Sequence, residues 1–130
     1  MLGKRKERRK SVRVQIRMTV HVELMGQPRF YEAVSRDLSV GGACLVLRKH
    51  LPHCTSVYLE FRLPGSLETL YSPAHVVWSH QAPTVSKGEE GGGEMFLMGV
   101  EFVRPPRNVR KEVKRFVAER LKEEKGRARR

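Results

Sequence analysis

Two short stretches carry most of the chemistry this sequence can offer: "ERRKSVR", residues 7–13, and "DLSVGG", residues 37–42. In the first, Arg9 and Arg13 stand four apart, and Arg13 falls on the polar side of the apolar alternation that follows. One arginine held at the base of a strand and one on an unpatterned lead-in make a clamp that closes over an anion. A guanidinium offers paired donors to phosphate oxygens. It bonds the O6/N7 edge of guanine in the same forked way and stacks on an aromatic base. In the second stretch, Asp37 suits the N1 and N2 donors of guanine and would repel a bare phosphate. Ser39 adds a small hydroxyl, and Gly42, next to Gly41, permits close backbone approach and positive φ. Each stretch alone has a plainer reading: a basic tail in water, and a turn joining two strands. Together, a phosphate clamp beside a guanine reader describes a site for a guanine nucleotide.

Catalytic constellations are absent by comparison. His50, His53 and Cys54 crowd one loop, but zinc sites show two separated ligand pairs, and no second Cys/His pair is evident. Ser39 lies in "LSVGG", which is not the Gly-x-Ser-x-Gly elbow of hydrolases. "GEEGGG" is followed by no Gly-Lys-Ser/Thr and opens no helix, so it is not a phosphate loop. The sequence predicts neither an enzyme nor a bound metal.

The elements that must position the two motifs can be read from periodicity. Val12, Val14, Ile16, Met18, Val20, Val22 and Leu24 alternate without a break, which predicts one long strand with a buried face. "MGQPRF" is a turn. Further strands are expected over Phe30–Arg36, Ala43–Arg48, Val57–Leu63, Glu68–Ser79 and around Phe96–Phe102, with Ala74, Val76 and Trp78 sharing one face. "HQAPTVSKGEEGGGE" has the composition of a flexible loop. After "RPPR" the period changes: Val109, Val113, Phe116, Val117 and Leu121 mark an amphipathic helix, with Asn108 as its N-cap and an end before Gly126. The expected fold is therefore all-β: a six-stranded antiparallel β-barrel with a C-terminal α-helix.

The 130 residues suffice for one domain. The net charge of +12 is uneven: +7 over residues 1–17, −3 over 18–103 and +8 over 104–130. Basic ends on a mildly acidic body attract anions. No apolar run approaches the ~20 residues that span a bilayer, and no apolar stretch backs the basic N-terminus. A cytoplasmic protein without membrane insertion is expected, with Cys44 and Cys54 as free thiols.

The motifs in this order resemble the PilZ domain family, whose signature is Arg-x-x-x-Arg followed by Asp/Asn-x-Ser-x-x-Gly. Here these are Arg9-Lys10-Ser11-Val12-Arg13 and Asp37-Leu38-Ser39-Val40-Gly41-Gly42. "AHVVW" (Ala74–Trp78) and "MGVEF" (Met98–Phe102) are similar to the family's late strands. The resemblance implies a split-barrel PilZ domain over residues 9–125, with a helix at about 107–124, a basic arm over 1–8 and a tail over 126–130. It implies a receptor for the bacterial second messenger cyclic di-GMP, with no other cofactor. The arginine pair would contact phosphates and guanine, and the turn would hold guanine on the barrel surface, with Asp37 and Ser39 pointing outward. Arg8 is placed to support a second stacked ligand. Binding would order the arm, and an unidentified downstream protein would read the result. Two rival readings remain. One is a nucleic-acid-binding barrel using the basic termini, disfavoured because the aromatics are expected mostly inside. The other is a ligand-blind interaction module.

Overall fold

A computed structural model describes residues 12–82 and 94–128. The arm, with Arg8 and Arg9, and most of the glycine-rich loop lie outside the described residues. Among the described residues seven strands form one antiparallel sheet: β1 (Val14–Gln15), β2 (Thr19–Leu24), β3 (Phe30–Leu38), β4 (Gly42–Leu47), β5 (Ser56–Phe61), β6 (Leu70–Gln81) and β7 (Phe96–Phe102). Their order is β1-β3-β2-β5-β6-β7-β4, and β4 also pairs with β3. That last pairing closes six strands into a barrel, leaving β1 as a short extension along β3. Closure removes the exposed edges an open sheet would present.

The expected fold is the observed one, because alternation dictates it. Val20, Val22, Leu45, Leu47, Val57, Leu59, Val76 and Met98 project into the lumen and are almost wholly buried. A helix, α1 (Arg107–Ala128), follows β7 and adds Val109, Val113 and Val117 to the same core. It packs on β6 and β1. The carbonyl of Pro106 accepts from the amide of Arg110 at 3.1 Å, so the helix starts two residues earlier than an Asn108 cap requires. Asn108 lies inside the first turn, where its amide nitrogen donates to Glu68 Oε2 at 2.9 Å. The helix also runs through Gly126 to Ala128, past its expected end. No helix among the described residues is long and apolar enough to cross a membrane.

Three further expectations fail, and each failure has a local cause. The long first strand is broken between Gln15 and Thr19. Val14 pairs with Leu38 and Gln15 with Asp37, but Thr19 pairs with Val34, so Ile16–Met18 stand opposite only Ser35 and Arg36. This is a β-bulge. Ser35, buried inside it, donates its hydroxyl to the Ile16 carbonyl (2.5 Å) and accepts from the Met18 amide (3.0 Å). Val12, expected inside, is about half exposed. The second failure is in β6, where the register against β7 slips at Val77: Val76 faces Val100, but Trp78 faces Gly99. Trp78 is thereby turned to the outer face, away from Ala74 and Val76. The third concerns the aromatics, which are not mostly internal: Phe30, Tyr58 and Tyr71 are among the most exposed apolar side chains.

Ser35 replaces ladder bonds that the bulge removes, and its loss would orphan the Met18 amide. Ser35→Ala is expected to destabilise the fold by about 1–3 kcal/mol, read as a lowered midpoint in urea denaturation with unchanged slope.

Candidate functional site

Arg13 leads directly into β1, and β1 is zipped to the end of β3, so residues 24 apart in sequence meet. Arg13 Nη1 donates to Asp37 Oδ1 at 3.1 Å. Asp37 is held by β3 between two neighbours: it faces Gln15 on β1 and Cys44 on β4. The register against β4 slips beside it, because Ser35 faces Leu45 while Asp37 faces Cys44. Arg36 is the extra residue, and its side chain is exposed.

The turn from Leu38 to Gly42 is a rigid ledge. The Ser39 amide donates to the Gly42 carbonyl at 2.8 Å, and the Ser39 hydroxyl both accepts from the Gly42 amide (3.2 Å) and donates to the Gly42 carbonyl (3.3 Å). Ser39 is buried, so the expectation that it points outward fails. Its short side chain is turned back to satisfy the turn's own backbone groups, the usual use of serine in such turns. Gly42 departs from expectation too. Its φ is not positive; a Cβ there would lie 2.0 Å from the Val100 carbonyl oxygen. The close approach it permits is that of β7, not of a ligand. The Gly41 carbonyl accepts from the Phe102 amide at 2.9 Å, tying the exposed tip to β7 as well.

Of the residues singled out, the structure brings Arg13, Asp37 and Gly41 to one surface and places Ser39 and Gly42 beneath it. The register also reveals what periodicity missed. Asp37, Cys44, Gly99 and Trp78 form one row across β3, β4, β7 and β6. Neighbouring strands are ~4.8 Å apart, so carboxylate and indole stand roughly 14 Å apart along that row. The indole lies over Gly99, where a Cβ would come within 2.3 Å of its Nε1. His80 stacks on it, with centroids 4.9 Å apart and rings 17° from parallel. Only the glycine opposite the tryptophan hinted at this in the sequence. Burial pushes the Cys44 thiol pKa up, with help from Asp37; Arg36 and Arg13 oppose it.

The surface thus offers a guanidinium, a carboxylate and a stacked pair of rings on an open wall. It suits a planar group with a donor edge and an attached anion. A cavity of about 500 Å³ lies at the opposite end of the barrel between Arg29, Tyr31, Lys49 and Pro52, away from Arg13 and Asp37. Among the described residues no three His, Cys, Asp or Glu side chains gather as metal ligands.

A model of the PilZ domain matches residues 7–119. The chain belongs to the PilZ domain family. No curated protein sequence matches it, so relatives are found through the fold. This PilZ barrel is similar to the PilZ domain of YcgR from Escherichia coli, whose structure includes c-di-GMP. The TM-score is 0.69 at 15% identity, covering 95% of this chain and 98% of that one. It is also similar to the Bacillus subtilis inhibitor of motility MotI/DgrA (TM-score 0.68, 20% identity, 88% of this chain and 51% of that one). A third likeness is to the K. pneumonia MrkH–c-di-GMP complex (TM-score 0.67, 13% identity, 92% and 55%). The chain spans about half the length of those last two proteins.

Two outcomes follow from this geometry. Gly42→Ala is expected to force β4 and β7 apart and to cost on the order of 3 kcal/mol, measured by chemical denaturation without any ligand. Cys54, exposed, is expected to be alkylated well ahead of Cys44 in a mass-spectrometric time course, because burial keeps the Cys44 thiolate scarce. Equal rates would contradict the buried placement of Cys44.

Proposed function

We propose that this PilZ chain is a non-enzymatic receptor for cyclic di-GMP. The observation that carries this reading is the Arg13–Asp37 contact, which joins the two motifs at one edge of the barrel wall. It is supported by two similar structures, the YcgR PilZ domain with c-di-GMP and the MrkH–c-di-GMP complex. In the bound state Arg13 exchanges the carboxylate for a ligand phosphate or the Hoogsteen edge of a guanine. Asp37, released, accepts from the N1 and N2 donors of a guanine. The indole of Trp78, backed by His80, supplies a face on which a base stacks. Ser39, Gly41 and Gly42 act indirectly by fixing the ledge. Arg9 and Arg8 complete the clamp from the arm, which becomes ordered as it closes over the anion. The changed surface is then read by a partner protein. A cytoplasmic setting goes with this reading.

Isothermal titration calorimetry with cyclic di-GMP tests it. Micromolar binding by the parent is expected, with Arg13→Ala and Asp37→Ala each weakening it at least about tenfold, that is by 1.4 kcal/mol or more. Trp78→Ala is expected to weaken it less. Absence of heat from the folded parent, or an Arg13→Ala variant as tight as the parent, overturns the proposal.

A further inference from the structure

The three exposed aromatics are not scattered. Two rows of outward side chains run across β3, β2, β5 and β6. In the first, Phe30 is paired with Glu23 and Glu23 with Tyr58. In the second, Glu32 is paired with His21, His21 with Glu60 and Glu60 with Tyr71. Rings and carboxylates therefore alternate in both directions. Phe30 is 66% exposed, Tyr71 58% and Tyr58 47%. Between them lies a shallow depression of about 150 Å³ lined by His21, Glu23, Phe30, Tyr58, Glu60 and Tyr71. Phe30 leans on His21 at 5.8 Å between ring centroids, and His21 Nδ1 is 4.0 Å from Glu60 Oε1. No lysine or arginine stands in either row.

Burying large rings is favourable, so leaving three in water on one rigid face marks an interaction surface. The charges decide what it accepts. Exposed rings on a small barrel are how single-stranded nucleic acids are held, but such platforms lie in basic grooves. Here Glu23, Glu32 and Glu60 would repel every phosphate. A second copy of the chain meets the mutual repulsion of its net +12. An arginine satisfies both features at once: its planar guanidinium stacks on tyrosine while its fork of donors engages a neighbouring carboxylate. We infer that this face docks an arginine-bearing segment of a partner protein, with Tyr58 and Tyr71 as its anchoring side chains and Glu23 and Glu60 as its charge complement. The face is distinct from the nucleotide ledge. Phe30 and Asp37 lie seven residues apart on β3, roughly 23 Å at 3.3 Å per residue. Both can be occupied together.

The test uses fluorescence anisotropy with a labelled short peptide in which arginines are spaced by serine and leucine, at low salt and without nucleotide. It therefore stands or falls apart from the receptor reading. The parent is expected to bind it. A Tyr58→Ser/Tyr71→Ser double variant and a Glu23→Gln/Glu60→Gln double variant, each shown folded by an unchanged thermal midpoint within a few degrees, are each expected to bind at least about tenfold more weakly. Asp37→Ala is expected to bind as the parent does, and a peptide with glutamate in place of arginine not at all. No binding by the parent, equal binding by both double variants, or loss only with Asp37→Ala overturns the assignment. So does single-stranded DNA binding that the tyrosine variant abolishes, or self-association in sedimentation that it abolishes, since each names a different occupant.

Discussion

Closing this barrel asks a single strand, β3, to pair with neighbours whose registers do not agree, and the segment Ser35–Asp37 is where that conflict is absorbed. Along its N-terminal half β3 follows β2, and at its end it follows β1, one residue out of step. On its other edge it follows β4, with a slip at Arg36. A regular strand could not meet all three ladders, because a one-residue slip sends every later side chain to the other face. The bulges restore the alternation: Leu38 returns to the core and Asp37 to the surface. Ser35 supplies the hydrogen bonds that the irregular backbone forgoes. The position of the candidate site is a consequence of how the sheet closes.

That position matters because the contact it creates is weak. Arg13 is more than half exposed and Asp37 about one-fifth. A pair in that setting contributes about 0–1 kcal/mol, whereas a hydrogen bond between charged groups and a well-placed partner contributes about 1.5–3 kcal/mol. On the proposed reading, a phosphate at Arg13 and a guanine edge at Asp37 would each form a stronger bond than the pair they replace. The pair holds both side chains together at one edge of the barrel wall. The ledge differs in kind: Ser39 and Gly42 are tied to each other by hydrogen bonds, and β7 packs against Gly42, so the fold itself fixes the floor beneath the pair.

The barrel, the helix and the two motifs were legible because each rests on a periodicity or a short spacing that survives in the linear chain. Seven alternating apolar positions demanded a half-buried strand, and four of them, Val14, Ile16, Val20 and Val22, are buried. The break inside that strand was not legible, since the serine that makes it possible belongs to a different strand. The same blindness hid Trp78. Counting by twos from Ala74 puts it inside the barrel, and only the slip at Val77, set by pairing with β7, turns it outward into the row that runs through Gly99 and Cys44 to Asp37. Ser39 and Gly42 were singled out correctly as belonging to the turn. Their directions were misjudged, because residue type says what a group can bond and not which partner reaches it first. The aromatic face escaped for a related reason: Phe30, Tyr58 and Tyr71 are far apart in sequence, and only strand order gathers them.

The charge distribution then has a structural counterpart. The segment between the basic ends carries a balance of −3, and three of its carboxylates, Glu23, Glu32 and Glu60, line one outer face of the barrel. The motif ledge lies on another, where Arg13 pairs with Asp37. On the two proposed readings, walls of unlike charge on one sheet would sort ligands by sign, an anion at the ledge and a cation at the acidic face. Both walls use β3 and β6, with Phe30 and Tyr71 at one end of those strands and Asp37 and Trp78 at the other. A closed, hydrogen-bonded barrel deforms little over that distance. Any influence of one wall on the other must therefore travel by charge through solvent, over a distance exceeding the ~8 Å screening length at physiological salt, or by the chain segments that flank the barrel. On the two proposed readings, the nucleotide ledge and the acidic aromatic face would therefore act independently within the sheet.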